Sequence, residues 1–166
     1  MNFLAHALLA RGDDEWIVGS LIADFRPHSP ELSKGIWDGI ELHRCVDSYA
    51  DKSEHFQLIK EALRPAAGLY APVVADICCD NLLISQWERY CRRPLRTFTA
   101  DIYESLEIGR EHLPHYWRGP REDWLASYRH RDGLELAMER VQRRVSKTRR
   151  FPDIAATFDL YESKKN

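Results

Sequence analysis

Long apolar runs are missing from this 166-residue chain. No stretch approaches the ~20 consecutive apolar residues that a bilayer-crossing helix needs, so no membrane span is expected. The N-terminal MNFLAHALLA run is short, lacks a basic leader and soon meets Arg11, Gly12, Asp13 and Asp14. It does not read as a secretory signal, and a cytoplasmic location is the expectation. Cysteine is sparse. Cys45, Cys78, Cys79 and Cys91 show no paired metal-binding spacing, and two of them are adjacent. Free thiols are expected rather than a disulfide framework. Charge of either sign is nearly cancelled, with 24 Lys and Arg against 26 Asp and Glu. That balance, with no binding motif, speaks against a nucleic-acid partner. Sustained apolar–polar alternation between turn signals is absent, which excludes an extensive sheet. Repeats and low-complexity linkers are absent too, so residues 1–166 are expected to form one domain.

What remains reads as helix. Candidate segments are residues 2–11 and 15–25, with Gly19 as a close-packing point. A third helix opens at Ser29-Pro30 and runs to about 51, because Ser caps and Pro suits a first turn. Ser53 caps a fourth, which ends near Arg64-Pro65. Gly68 separates it from a long apolar helix running from Pro72 through Tyr90. Segments 98–112, 121–131, 134–147 (after Gly133) and 153–163 follow, each introduced by Pro, Thr or Gly. The expected fold class is all-α, a compact single-domain bundle of about eight or nine helices.

The chemistry lies in His and Asp residues set inside apolar stretches. Asp24 ends SLIADF. His43 and Asp47 in GIELHRCVD are four apart and share a helix face with Ile36 and Ile40. Asp76 and Asp80 in VVADICCDNLL are also four apart, and His6 sits in NFLAHALL. Burying carboxylates together is costly unless cations compensate them. Mixed imidazole and carboxylate donors suit Mn²⁺, Mg²⁺ or Fe²⁺, which would acidify water and polarise a phosphoryl oxygen. Each piece also has a plain alternative: a core histidine for His6, an i,i+4 hydrogen bond for His43–Asp47, and Arg partners for Asp76 and Asp80. A di-iron carboxylate bundle is disfavoured, since Glu-x-x-His is absent.

The ordered set MNFLAH, VGSLIADF, GIELHRCVDSYAD and VADICCDNLL followed by Trp87 resembles the acyl carrier protein phosphodiesterases. A looser match is WLASYRHRDGLELAMERVQRR. The likeness covers about the first ninety residues closely and the next fifty loosely. It implies an all-helical fold related to the HD superfamily of metal-dependent phosphohydrolases. It also implies removal of 4′-phosphopantetheine from holo-acyl carrier protein, with Mn²⁺ the favoured cofactor. The resemblance carries Asp24, His43, Asp47 and Asp80 over as ligands or catalytic groups. His6 is implied as a further ligand and Asp76 as a further catalytic carboxylate. Arg44 would hold a phosphate oxygen; its plain alternative is a surface salt bridge. No adjacent His-Asp pair is present, so the standard HD signature is missing.

Carrier proteins are acidic, and a basic surface would steer one in. RVQRRVSKTRR, with Arg140, Arg143, Arg144 and Lys147, is the candidate surface, and Arg92, Arg93 and Arg96 form a second cluster. The rival readings are a phosphohydrolase acting on nucleotides or small phosphoesters, and a non-enzymatic helical interaction module.

Overall fold

The structure, a computed structural model, describes residues 3–25, 31–113, 123–145 and 151–165. Helix α1 spans Phe3–Leu9 and α2 spans Asp14–Ile22, with a 3₁₀ turn at Ala23–Phe25. Asp13 starts α2 by accepting the Trp16 amide at 3.0 Å. Helix α3 spans Lys34–Lys52. It starts later than Ser29-Pro30, because Ser33 is the residue that caps it, accepting the Ile36 amide at 3.2 Å. Residues 26–30 lie outside the described part.

Helix α4, Glu54–Ala67, passes through Pro65 instead of ending there. Pro65 and Glu61, whose carbonyl loses its amide partner, are both exposed residues, so the lost bond falls on the solvent side of the helix. Gly68, at φ 54°, ends the helix in the left-handed region. Helix α5 spans Ala71–Ser85, and Gln86 breaks it from the short α6, Trp87–Tyr90. The expected continuous helix to Tyr90 is therefore divided. The break turns Trp87 inward, where it is buried and its Nε1 donates to the Arg93 carbonyl at 2.7 Å. By length and composition alone Glu54–Ser85 could cross a bilayer, but Gly68 divides it into two helices and over half of its apolar window is buried inside the fold.

Helix α7 spans Leu95–Ile108 and starts directly after Pro94, earlier than expected. A 3₁₀ turn, Arg110–His112, follows it. Helix α8 is a single turn, Trp124–Ser127, shorter than the 121–131 expected. Helix α9, Arg131–Arg144, contains Gly133 rather than following it. A Cβ there would meet the Ser127 carbonyl at 2.1 Å, so the glycine lets the two helices join closely. Helix α10, Ile154–Lys165, closes the chain.

No strand occurs among the described residues. One apolar cluster runs through the molecule, from Leu4, Ile17, Leu21 and Ile40 to Ile102, Leu125, Met138 and Phe158. Helices α2 and α3 form the tightest pair; α4 and α5 pair beside them, and α1 lies across α2, α3 and α5. The tight pairing has a sequence cause, anticipated for Gly19. A Cβ on Gly19 would lie 2.1 Å from the Ile36 carbonyl, and one on Gly39 would lie 2.4 Å from that of Trp16. Two glycines facing each other let the backbones touch.

Candidate metal centre

That contact builds the site. With α2 against α3, Ser20 Oγ donates to the Gly39 carbonyl at 3.0 Å. The Ser20 carbonyl in turn accepts Nδ1–H of His43 at 2.7 Å, in a buried position. A carbonyl can only accept, so Nδ1 carries the proton and Nε2 of the neutral ring is a lone pair. Nε2 faces Asp47 Oδ2 at 3.0 Å and Asp24 Oδ1 at 3.4 Å. Asp47 lies one helical turn beyond His43 on α3, which explains its reach. Asp24 arrives from the 3₁₀ turn that ends α2.

His6 enters from α1. Its Nε2 lies 3.2 Å from Asp47 Oδ1. Its ring stacks on that of His43, with centroids 4.1 Å apart and planes 14° from parallel. One donor atom from each of His6, His43 and Asp47 lies within 4.8 Å of the others. Both imidazoles are buried while the Asp47 side chain is half exposed, so the group opens to solvent on its carboxylate side.

The electrostatics are those of a site short of positive charge. Burial opposes ionisation of His43, but hydrogen bonds to Asp24 and Asp47 outweigh it and raise its pKa to about 9. Burial likewise pushes Asp47 up, and the bonds to His43 and His6 override it, holding the carboxyl well below its usual range. Burial pushes Asp24 up as well, but its His43 bond, together with nearby positive charge, leaves it lowered. Asp76, half-buried on α5, is raised, first by burial and further by the charges of Asp47 and Asp24.

A divalent ion fits these donors. A neutral His43 points a lone pair at two carboxylates, which repels unless a proton or a cation intervenes. Protonating both stacked rings would place like charges face to face. His6 Nδ1 is buried and, among the described residues, has no hydrogen-bond partner, so the ring is engaged only through Nε2, on the side of the carboxylates. One cation bound by both Nε2 atoms and Asp47, with Asp24 beside them, removes the repulsion. The Ser20–His43 bond is the orienting second contact that metal-bound imidazoles generally have.

The other expected residues fall elsewhere. Asp80 is completely buried and its two oxygens accept the amides of Leu4 and Ala5 at 3.0 and 3.1 Å. It sits at the start of α1, outside the His6–His43–Asp47 group, and burial, against those two bonds, raises its pKa to about 7. Arg44 is exposed and paired with Glu41, one turn back on α3. Arg140 lies over the Trp124 ring at 6.0 Å, and Arg143 pairs with Glu139 at 3.3 Å. The Arg144 side chain and Lys147 lie outside the described residues. Ser20 went unnoticed in the sequence, since a main-chain acceptor leaves no residue signature. Cys45, Cys78, Cys79 and Cys91 are all free.

Comparison with known proteins gives the family. The family model described as "Acyl carrier protein phosphodiesterase" matches residues 1–165, well past the part that motifs alone covered closely. The acyl carrier protein phosphodiesterase of Escherichia coli O45:K1 (strain S88 / ExPEC) is 30% identical over 149 residues, covering 83% of this chain and 76% of its own. That of Enterobacter sp. (strain 638) is 29% identical over the same coverage. That of Klebsiella pneumoniae (strain 342) is 36% identical over 89 residues, 52% of this chain and 46% of its own. No solved structure matches the chain. With a family model spanning nearly every residue and His/Asp donors gathered at one centre, the chain belongs to the acyl carrier protein phosphodiesterase family of phosphodiester-hydrolysing enzymes.

Proposed function

We propose that this protein removes the 4′-phosphopantetheine arm from holo-acyl carrier protein, using a divalent ion, Mn²⁺ by preference, held by His6, His43 and Asp47 with Asp24 beside them. The observation that carries this reading is the meeting of two imidazoles and a carboxylate within 4.8 Å in a chain of this family. The bound ion supplies Lewis acidity toward a phosphoryl oxygen and lowers the pKa of water. The protein's own groups do the rest. Ser20 holds the His43 ring so that Nε2 faces the reacting space. Asp24, ionised and partly exposed, orients the attacking water on the open side. Asp76, held protonated longer than an ordinary carboxyl, would return a proton to the departing serine oxygen. Phosphorus–oxygen cleavage then leaves the free serine hydroxyl and 4′-phosphopantetheine.

Holo-carrier protein, an acidic partner, would approach over basic surface including Arg140, Arg143 and Arg144, and the reaction would take place in the cytoplasm. The test is incubation of holo-carrier protein with the purified protein and Mn²⁺, read by intact mass. Loss of the arm, abolished by chelation, is expected; an unchanged mass, or turnover of free nucleotides in its place, overturns the reading.

A further inference from the structure

The two histidines are held differently at Nδ1, although Nε2 of each faces Asp47. His43 is fixed by the Ser20 carbonyl through Nδ1, whereas Nδ1 of His6 has no such partner among the described residues. His6 is tied by hydrogen bonding only to the half-exposed Asp47, so its place depends on α1 as well. Yet α1 has only seven residues, Phe3–Leu9, too few to hold a helix alone. Its first amides need acceptors, and Asp80 supplies two, one per carboxylate oxygen.

Asp80 is itself firmly based. The next residue, Asn81, donates to the Tyr128 carbonyl at 2.7 Å and accepts from the Tyr161 hydroxyl and Lys165 Nζ, each at 2.7 Å. Neighbouring residues of one helical turn thus bind α5 to α10 and the end of α8 on one side, and α1 to α5 on the other. We propose that Asp80 is a positioning residue: by capturing the Leu4 and Ala5 amides it fixes where His6 stands against His43 and Asp47. It touches neither metal nor substrate. This rests on reading those three side chains as the metal centre.

The test uses full-length Asp80→Ala, Asp80→Asn and Asn81→Ala proteins, first without metal. Stacking on His43 gives the His6 ring protons a displaced NMR shift in the wild type. In Asp80→Ala that displacement collapses, and exchange of the Leu4 and Ala5 amides quickens by roughly 10- to 100-fold. Asp80→Asn keeps one acceptor and falls between, and also serves if the alanine variant does not fold. Asn81→Ala loses comparable thermal stability with the His6 shift unchanged. By calorimetry, Mn²⁺ affinity then falls in the order wild type, Asp80→Asn, Asp80→Ala, and His6→Ala combined with Asp80→Ala binds no worse than His6→Ala alone.

An unmoved His6 shift in both Asp80 variants overturns the proposal. So does a loss of Mn²⁺ affinity while both amides stay protected, which would make Asp80 a direct ligand. Absence of Mn²⁺ binding by the wild type would overturn the metal reading instead, and the metal-free shifts still decide whether Asp80 places His6.

Discussion

Two partly buried polar clusters, one in each half of the chain, are built on opposite rules. In the C-terminal half, Asp123 accepts from Thr99 Oγ1 at 2.9 Å, from the Tyr103 hydroxyl at 2.8 Å and from the Ala126 amide at 3.0 Å. Tyr103 accepts the Leu125 amide as well. Each donor there meets an acceptor, as buried polar groups usually do. In the N-terminal half, His6, His43, Asp47 and Asp24 crowd lone pairs and like charges together and leave His6 Nδ1 unpartnered among the described residues. Satisfied polar groups join helices; an unsatisfied set is arranged for something that arrives later. Asp80 belongs by sequence to the second cluster but by bonding to the first, since both its oxygens are engaged by main-chain amides.

The contrast makes unequal predictions. The largest concerns His43→Ala. Turnover should fall by about 10² or more, since the ligand and its orienting bond go together. Helicity should hold by circular dichroism; full activity in the folded variant would place His43 outside the chemistry. Gly19→Ala comes next. Its Cβ would stand 2.1 Å from the Ile36 carbonyl, so α2 and α3 must separate. Stability should drop by about 1–3 kcal/mol in urea titration, and activity should fall with it, because Ser20 and His43 lie across that contact. Asp123→Ala is the mirror case. It leaves the Tyr103 hydroxyl and the Ala126 amide without their acceptor, Thr99 keeping the Arg96 carbonyl, and should cost about 1–3 kcal/mol. The kcat/KM of the folded fraction should be unchanged, and a matching loss of activity would erase the distinction between the halves.

A smaller effect concerns pH. In metal-free protein the pKa of His43 rises from 6.5 to about 9. Its stabilising contribution is then complete below about 6.5 and lost as pH climbs through about 9. Thermal melting of the metal-free protein should decline across that window, while divalent affinity should improve as the competing proton leaves. A flat melting profile from neutral to pH 9 would mean that His43 keeps no proton there. Smallest of all is the response to salt. If the basic residues around Arg140 steer an acidic carrier protein, kcat/KM should decline steadily with ionic strength while kcat holds.

Much of the fold was legible because helix signals are local. Gly68 ends α4, Pro72 lies in the first turn of α5 and Pro94 precedes α7. The misplacements have local causes too. Ser33 competes with Ser29 as a cap, Gln86 divides an apolar run, and Pro65 is tolerated on the solvent side of its helix. Within the site, His43 and Asp47 were readable as a pair because four residues make one turn. Arg44, next to them in sequence, points instead to Glu41, since the residue after an inward one on a helix faces away.

Sequence alone, then, determined the helical class, the family likeness and the His43–Asp47 pair, all of which depend on neighbours within a turn or on residue types in order. Tertiary structure alone decided that His6 joins Asp47 across 41 residues, that the Ser20 carbonyl orients His43 across 23, and that Asp80 reaches Leu4 across 76. Two glycines where α2 crosses α3, and a carboxylate at the start of α1, set those distances. No spacing along a chain records which of its acids will gather with imidazoles and which will meet a pair of amides.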